Sequence, residues 1–130
     1  LSLHDALPIL GGIQLYPPVA AADQNCGLSL LLDVEETRVL VTGDMDMEQE
    51  RLLLKTQDIP QVDVLVAGHH GSKYSTSTEL LEAVQPEAVV ISVGRNGYGH
   101  PAQETLDRIA AIGATIYRTD ENGTIKVKGG

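Results

Sequence analysis

The stretch Val62–His70 reads Val-Asp-Val-Leu-Val-Ala-Gly-His-His and runs on into Gly-Ser-Lys-Tyr-Ser-Thr-Ser. Its apolar run, Val62–Ala67, has the length and β-branching of a buried strand, so the pattern predicts a strand that stops at Gly68. Two histidines, His69 and His70, then stand at its carboxyl end before a glycine and a small polar loop. Side chains at that end of an open α/β layer commonly face a shared crevice. A second β-branched run, Arg38–Thr42, ends in the same manner, in Gly43-Asp44. If the two strands lie side by side and run the same way, Asp44 and the histidine pair converge at one rim. Carboxylate and imidazole ligands of a hydrolytic metal site need that arrangement. Each residue type also has a plainer use: an Asp after Gly at a strand end is an ordinary helix N-cap, and adjacent histidines in a glycine loop serve equally as structural or solvated groups.

Working outward toward the amino end, Leu28–Val34 and Thr37–Thr42 read as an antiparallel hairpin around Glu35-Glu36. Gly12–Tyr16 is a short strand closed by Pro17-Pro18, and Val19–Gly27 is loop. Residues 1–11 have no clear period, His4-Asp5 reads as incidental, and a start at Leu1 instead of Met suggests a fragment. Between the two central strands, Asp46–Thr56 predicts a helix with acids in its first turn and Lys55 near its end, ended by Asp58-Ile59-Pro60.

Toward the carboxyl end, Thr76-Ser77-Thr78-Glu79 fits a capping box for a short helix with Leu80, Leu81 and Val84 on its apolar face. Ala88–Val93 is the next buried strand. Gly94–His100 is a loop with three glycines, at Gly94, Gly97 and Gly99, whose backbone can approach a ligand closely. Pro101 opens a helix to Ile112 with Ala102, Leu106, Ile109 and Ala110 at helical spacing, and Gly113 stops it. Ala114–Tyr117 and Thr124–Val127 predict a closing hairpin around Asp120–Gly123.

At 130 residues and 42% hydrophobic, the chain suits one compact α/β domain, with a core of Leu, Val, Ile and Ala because Phe and Trp are absent. A formal charge of −9 argues against a broad basic face that grips nucleic acid, although divalent cations can supply the missing positive charge to an anionic substrate. The acidity is uneven, crowding the segment Asp33–Glu50, while Lys73, Arg95 and three of the four histidines fall within residues 69–100. The single cysteine, Cys26, excludes an internal disulfide. No apolar run approaches a membrane span, so the segment itself reads as soluble. No Gly-x-Ser-x-Gly elbow accompanies Ser72 or Ser75, which sets a serine hydrolase aside.

Five motifs, in order, carry a resemblance: Asn25-Cys26-Gly27-Leu28-Ser29-Leu30, Leu40-Val41-Thr42-Gly43-Asp44, Gly68-His69-His70-Gly71-Ser72, Asn96-Gly97-Tyr98-Gly99-His100-Pro101 and Tyr117-Arg118-Thr119-Asp120. From about Gly12 to Lys128 the chain resembles the carboxyl-terminal half of a metallo-β-lactamase-fold hydrolase, in particular the domain found in DNA-internalisation competence proteins of the ComEC type. The resemblance implies an αββα sandwich with a dinuclear zinc or manganese centre at one edge of the sheets. Asp44 would match the bridging carboxylate and one of His69 and His70 the late histidine ligand, with His70 preferred and His69 beside it. Metal-activated water would attack a phosphodiester. His100 would hold the phosphate or protonate the leaving oxygen, its alternative being a helix N-cap; Ser72, Lys73 and Asn96 would contact substrate oxygens, and Arg95 could join them.

The departure from that family is the earlier His-x-His-x-Asp-His motif, which supplies most ligands of the first metal and occurs nowhere in these residues. The resemblance therefore implies that the amino-terminal half of the domain lies outside this chain, and that the chain alone is poorly active. The implied partners are DNA or another phosphodiester, the upstream half of the same domain and the membrane channel segments of a larger protein of the bacterial inner membrane. Two alternatives stay open: an esterase of another kind with the same fold, such as a choline-phosphate esterase or lactonase, and a degenerate domain kept as a binding or structural module of a membrane DNA transporter.

Overall fold

A computed structural model describes residues 12–16, 29–93, 101–123 and 125. Six strands, β1 Gly12–Tyr16, β2 Ser29–Val34, β3 Thr37–Val41, β4 Val64–Val66, β5 Ala88–Ile91 and β6 Thr115–Arg118, form one sheet in sequence order. The first two pairings are antiparallel and the other three parallel. Each parallel step is bridged by a helix: α1 Met47–Thr56, α2 Thr78–Val84 and α3 Gln103–Ala111. Crossovers of one hand that always step the same way along a sheet lay their helices on one face. Accordingly Leu53, Leu80, Leu81, Val84 and Ile109 from the helices share one core with Leu31, Leu40, Leu65 and Val89 from the sheet.

The register explains which side chains enter that core. Leu31, Leu40, Leu65, Val89 and Ile116 lie opposite one another across successive strands, and because side chains alternate along a strand they project to the same face. The alternate set, Leu30, Val41, Val66, Val90 and Tyr117, projects to the other face. Those residues are half-buried, and Tyr117 is 40% exposed. The described residues thus form a mixed α/β unit of one sheet and one helical layer. A second sheet and second helical layer, as an αββα sandwich requires, are not among them.

The sequence expectations hold for the hairpin of β2 and β3, for helix α1, and for the parallel neighbours β3 and β4. Asp46 caps α1 by accepting from the Gln49 N–H, and the Gln49 side chain accepts in return from Asp46 N–H. Three details differ. Helix α2 starts one residue later than a Thr76 cap requires: Ser77 accepts from the Leu80 N–H at 3.1 Å, while Glu79 turns to Arg51 of α1 at 2.7 Å. On α3 the buried positions are Thr105 and Ile109, and Ala110 is exposed, because Thr105 donates to the Ser72 carbonyl at 2.8 Å. Finally, Thr119–Asn122 forms a helical turn, α4, in place of the hairpin turn, with the Arg118–Glu121 pair at 3.2 Å across it. Most of the expected last strand, and the glycine loop 94–100, lie outside the described residues.

Candidate functional site

The parallel pairing of Val41 with Val66 brings the carboxyl ends of β3 and β4 together. The His69 N–H donates to the Gly43 carbonyl at 2.9 Å, so the Asp44 and His69 backbones are held side by side. A side chain at Gly68 would be crowded where the two loops touch: an added Cβ would stand 3.1 Å from Gly43 O, Met45 O and Thr42 Oγ1, so those atoms would have to give by a few tenths of an ångström. Asp44 and His70 are exposed and His69 is half-buried.

Both histidines adopt left-handed backbone, His69 at φ 48° and His70 at φ 54°. Two such residues in succession are uncommon outside glycine and cost free energy that surrounding contacts must offset. The contacts here are identifiable. His70 Nδ1 hydrogen-bonds the Ser92 carbonyl at the end of β5. A carbonyl only accepts, so Nδ1 carries the proton, and in the neutral ring Nε2 keeps its lone pair. That anchoring is the usual one for an imidazole that ligates a metal through its other nitrogen. Next, Gly71, at φ 81°, packs against α3's entry, where an added Cβ would meet Pro101 Cβ at 2.6 Å.

The loop after the histidines is fixed from two helices. Glu50 of α1, with 0% exposure, accepts from Thr76 N–H at 2.7 Å and Ser77 N–H at 2.8 Å. Arg108 of α3 donates through Nη2 to the Lys73 carbonyl at 3.0 Å and the Ser75 carbonyl at 2.9 Å, and through Nε to the Thr76 carbonyl at 3.0 Å. Ser75 Oγ donates to Met45 O at 2.8 Å, and the Met47 N–H to the Tyr74 carbonyl at 2.8 Å. Burial pushes the Glu50 carboxyl above its ordinary range, opposed by its hydrogen bonds from Ser77 and Thr76 and by the charge of Arg108. Thr76 is left strained, at φ 59° with its buried hydroxyl unpaired among the described residues.

The structure therefore brings Asp44, His69, His70, Ser72 and Lys73 to one edge. Asn96, His100 and Arg95 lie outside the described residues. Among the described residues no group of three or more His, Cys, Asp or Glu side chains is placed to hold a metal ion. Sequence reading missed Glu50 and Arg108, because an acid in a first turn and an arginine in a last turn look like solvated partners of the helix dipole. It quoted Thr119 within a motif but gave it no role; the Thr119 hydroxyl bonds both Val93 N–H and Val93 O at 2.8 Å and so fixes the chain ahead of residue 94. A cleft of about 540 Å³ lined by Asp33, Glu36, Arg38, Asp63 and Glu87 lies at the opposite ends of the strands. Ligands of open α/β sheets gather at the carboxyl ends, which makes the histidine edge the better candidate site.

No protein-family model matches the chain. It is 36% identical over 112 residues to ComE operon protein 3 of Bacillus subtilis, covering 85% of this chain and 14% of that protein. It is 34% identical over 110 residues to Recombination protein 2 of Haemophilus influenzae, covering 84% and 14%. It is 42% identical over 90 residues to Competence protein ComA of Neisseria gonorrhoeae, covering 68% and 13%. The chain spans about one seventh of the length of each of these relatives, and what it matches is one segment of bacterial proteins of which the Neisseria protein is named for competence.

Proposed function

We propose that the chain forms one edge of a metal-dependent phosphodiesterase that acts on DNA within a larger competence protein of the bacterial inner membrane. The observation that supports this best is the adjacency of two strand ends, Gly43-Asp44 and Gly68–His70, locked by the His69–Gly43 hydrogen bond, with the His70 ring anchored through Nδ1. The donors fit a metal as part of its ligand set: an exposed carboxylate at Asp44 and an imidazole whose Nε2 is available. The remaining donors belong, on this reading, to an upstream half of the domain. A zinc or manganese ion, when bound, supplies an acidified water and neutralises charge on the phosphate.

The chain's own residues divide the remaining work. Asp44 and His70 hold the cation, with His69 beside them. Lys73 and Ser72, on the loop braced by Glu50 and Arg108, meet phosphate oxygens, and Asn96 and His100 are assigned to the same substrate. Among the described residues no helix is long and apolar enough to cross a membrane, and the channel segments are assigned, on this reading, to the rest of the parent protein.

The shortage of donors among the described residues favours a second reading, a non-catalytic binding module of a DNA transporter. Calorimetric titration with Mn²⁺ and Zn²⁺, on the chain joined to the segment that precedes the matching region in a relative such as ComE operon protein 3, separates the two. Metal uptake and cleavage of DNA are expected, with His70→Ala lowering metal affinity at least about tenfold and His69→Ala lowering it less. No metal uptake by the joined protein would leave the module reading. The chain alone is expected to cut no DNA; tight binding of metal together with DNA cleavage by the chain alone would contradict the need for an upstream half.

A further inference from the structure

We propose that the Lys73–Tyr74 tip is a contact for single-stranded nucleic acid, with the tyrosine ring stacking on an unpaired base and the lysine meeting the adjoining phosphate. The proposal rests on the phosphodiesterase reading only for its place beside that site. Tyr74 is 66% exposed, the most exposed large hydrophobic residue among those described. It also follows Ser72 and Lys73 directly, a few residues from His70.

An exposed tyrosine on a loose loop would carry little weight, since single apolar residues on surfaces are common. The backbone beneath this one is held at successive positions. Tyr74 N–H donates to Ser72 Oγ at 3.2 Å, and the Tyr74 carbonyl accepts from Met47 N–H at 2.8 Å. The Lys73 and Ser75 carbonyls on either side are both taken by Arg108. The tip is therefore ordered before any ligand arrives, which reduces the entropy lost on binding.

Lys73 Nζ stands over one face of the Tyr74 ring, 5.1 Å from its centre, so the cation is held at the ring and the opposite face is the one on which a base would stack. Aromatic stacking with a neighbouring cation is the chemistry by which unpaired bases are held, and it tolerates any base. It also resolves the charge problem. A net charge of −9 argues against a broad basic face that grips a duplex, but stacking on one ring with one phosphate contact needs no overall positive charge. In a duplex the bases are stacked on each other, and the ring has no face to meet.

The test measures anisotropy of a fluorescent oligothymidine, of an abasic oligonucleotide of equal length and of a duplex, with the full chain in EDTA so that metal plays no part. Tyr74→Ala should weaken oligothymidine binding about tenfold and leave abasic binding unchanged, while Tyr74→Phe keeps it. Lys73→Ala should weaken both single strands and lower the salt dependence by about one phosphate contact. Oligothymidine binding that is undetectable, that is unchanged in Tyr74→Ala, or that is no tighter than duplex or abasic binding overturns the proposal. Because no metal is present, these results are independent of the hydrolase reading: stacking can fail while metal uptake persists, and the reverse.

Discussion

Glu50 shows how a single side chain joins fold to site. Its carboxyl is fully buried, yet two backbone N–H groups and the Arg108 charge face it, and burial outweighs them. The folded carboxyl therefore titrates above the ordinary value of 4.5. Between 4.5 and that raised value the folded chain keeps a proton that the unfolded chain has lost, so this group's contribution to stability falls as pH rises through the window and is constant below 4.5. Glu50→Gln cannot titrate. Unfolding by urea at pH values from about 4 to 8 should show the stability of wild type relative to Glu50→Gln declining as pH rises, other carboxylates cancelling in the difference. A flat difference would mean that the carboxyl behaves as a solvated one. Nothing in the local sequence announced this burial. Glu50 sits in a helix rich in acids, and its partners, Thr76, Ser77 and Arg108, come from two distant elements.

At the scale of elements, the strands and helices were readable because β-branched runs, helical spacing and punctuating Gly and Pro are local signals. What escaped was decided by tertiary contact. The expected Thr76–Glu79 capping box gives way to a Ser77 cap while Glu79 pairs with Arg51 and Glu50 holds both the Thr76 and Ser77 N–H groups, and Asp120–Gly123 looks like a hairpin turn but forms a helical one after Thr119 bonds Val93. The convergence of Asp44 with the histidines was legible only as a conditional, because parallel pairing cannot be read from spacing. The hairpin of β2 and β3 carries a further consequence of its residues. Val34 pairs with Thr37, which leaves a two-residue turn in which Glu35 and Glu36 take φ 48° and 69°. Positive φ at both positions suits the twist of the strands but costs about 1–2 kcal/mol for each residue bearing a Cβ. Replacing the pair by Glu35→Asn and Glu36→Gly should raise stability by about 1–2 kcal/mol with an unchanged denaturant slope. An unaltered unfolding midpoint would show that the turn is not strained.

For the whole molecule, the two faces of the sheet are unequal in a way that bears on what surrounds it. One face is closed by α1, α2 and α3, and its leucines and valines are almost completely buried. The other presents Leu30, Leu32, Val39, Val41, Val66, Val90 and Tyr117, half-buried or exposed, on four central strands and the β6 strand that flanks them. These side chains are less completely buried than those of the helix-covered face, and a further layer packed on them would bury them. The relatives are about seven times longer than the matched segment, so a second sheet from the rest of such a protein is the covering that the proposed hydrolase domain requires. On the proposed hydrolase reading, the same layer would also carry the other metal donors, so covering this face and completing the metal site would go together. The chain alone should therefore bind the dye 8-anilinonaphthalene-1-sulfonate while retaining cooperative unfolding. Val41→Thr with Val66→Thr should reduce the dye signal with little loss of stability, since both side chains already meet water. Joining the upstream segment should abolish dye binding and raise the unfolding midpoint. A chain that takes up no dye and stays monomeric has this face covered already, and the metal donors would then have to be sought elsewhere than in a second sheet.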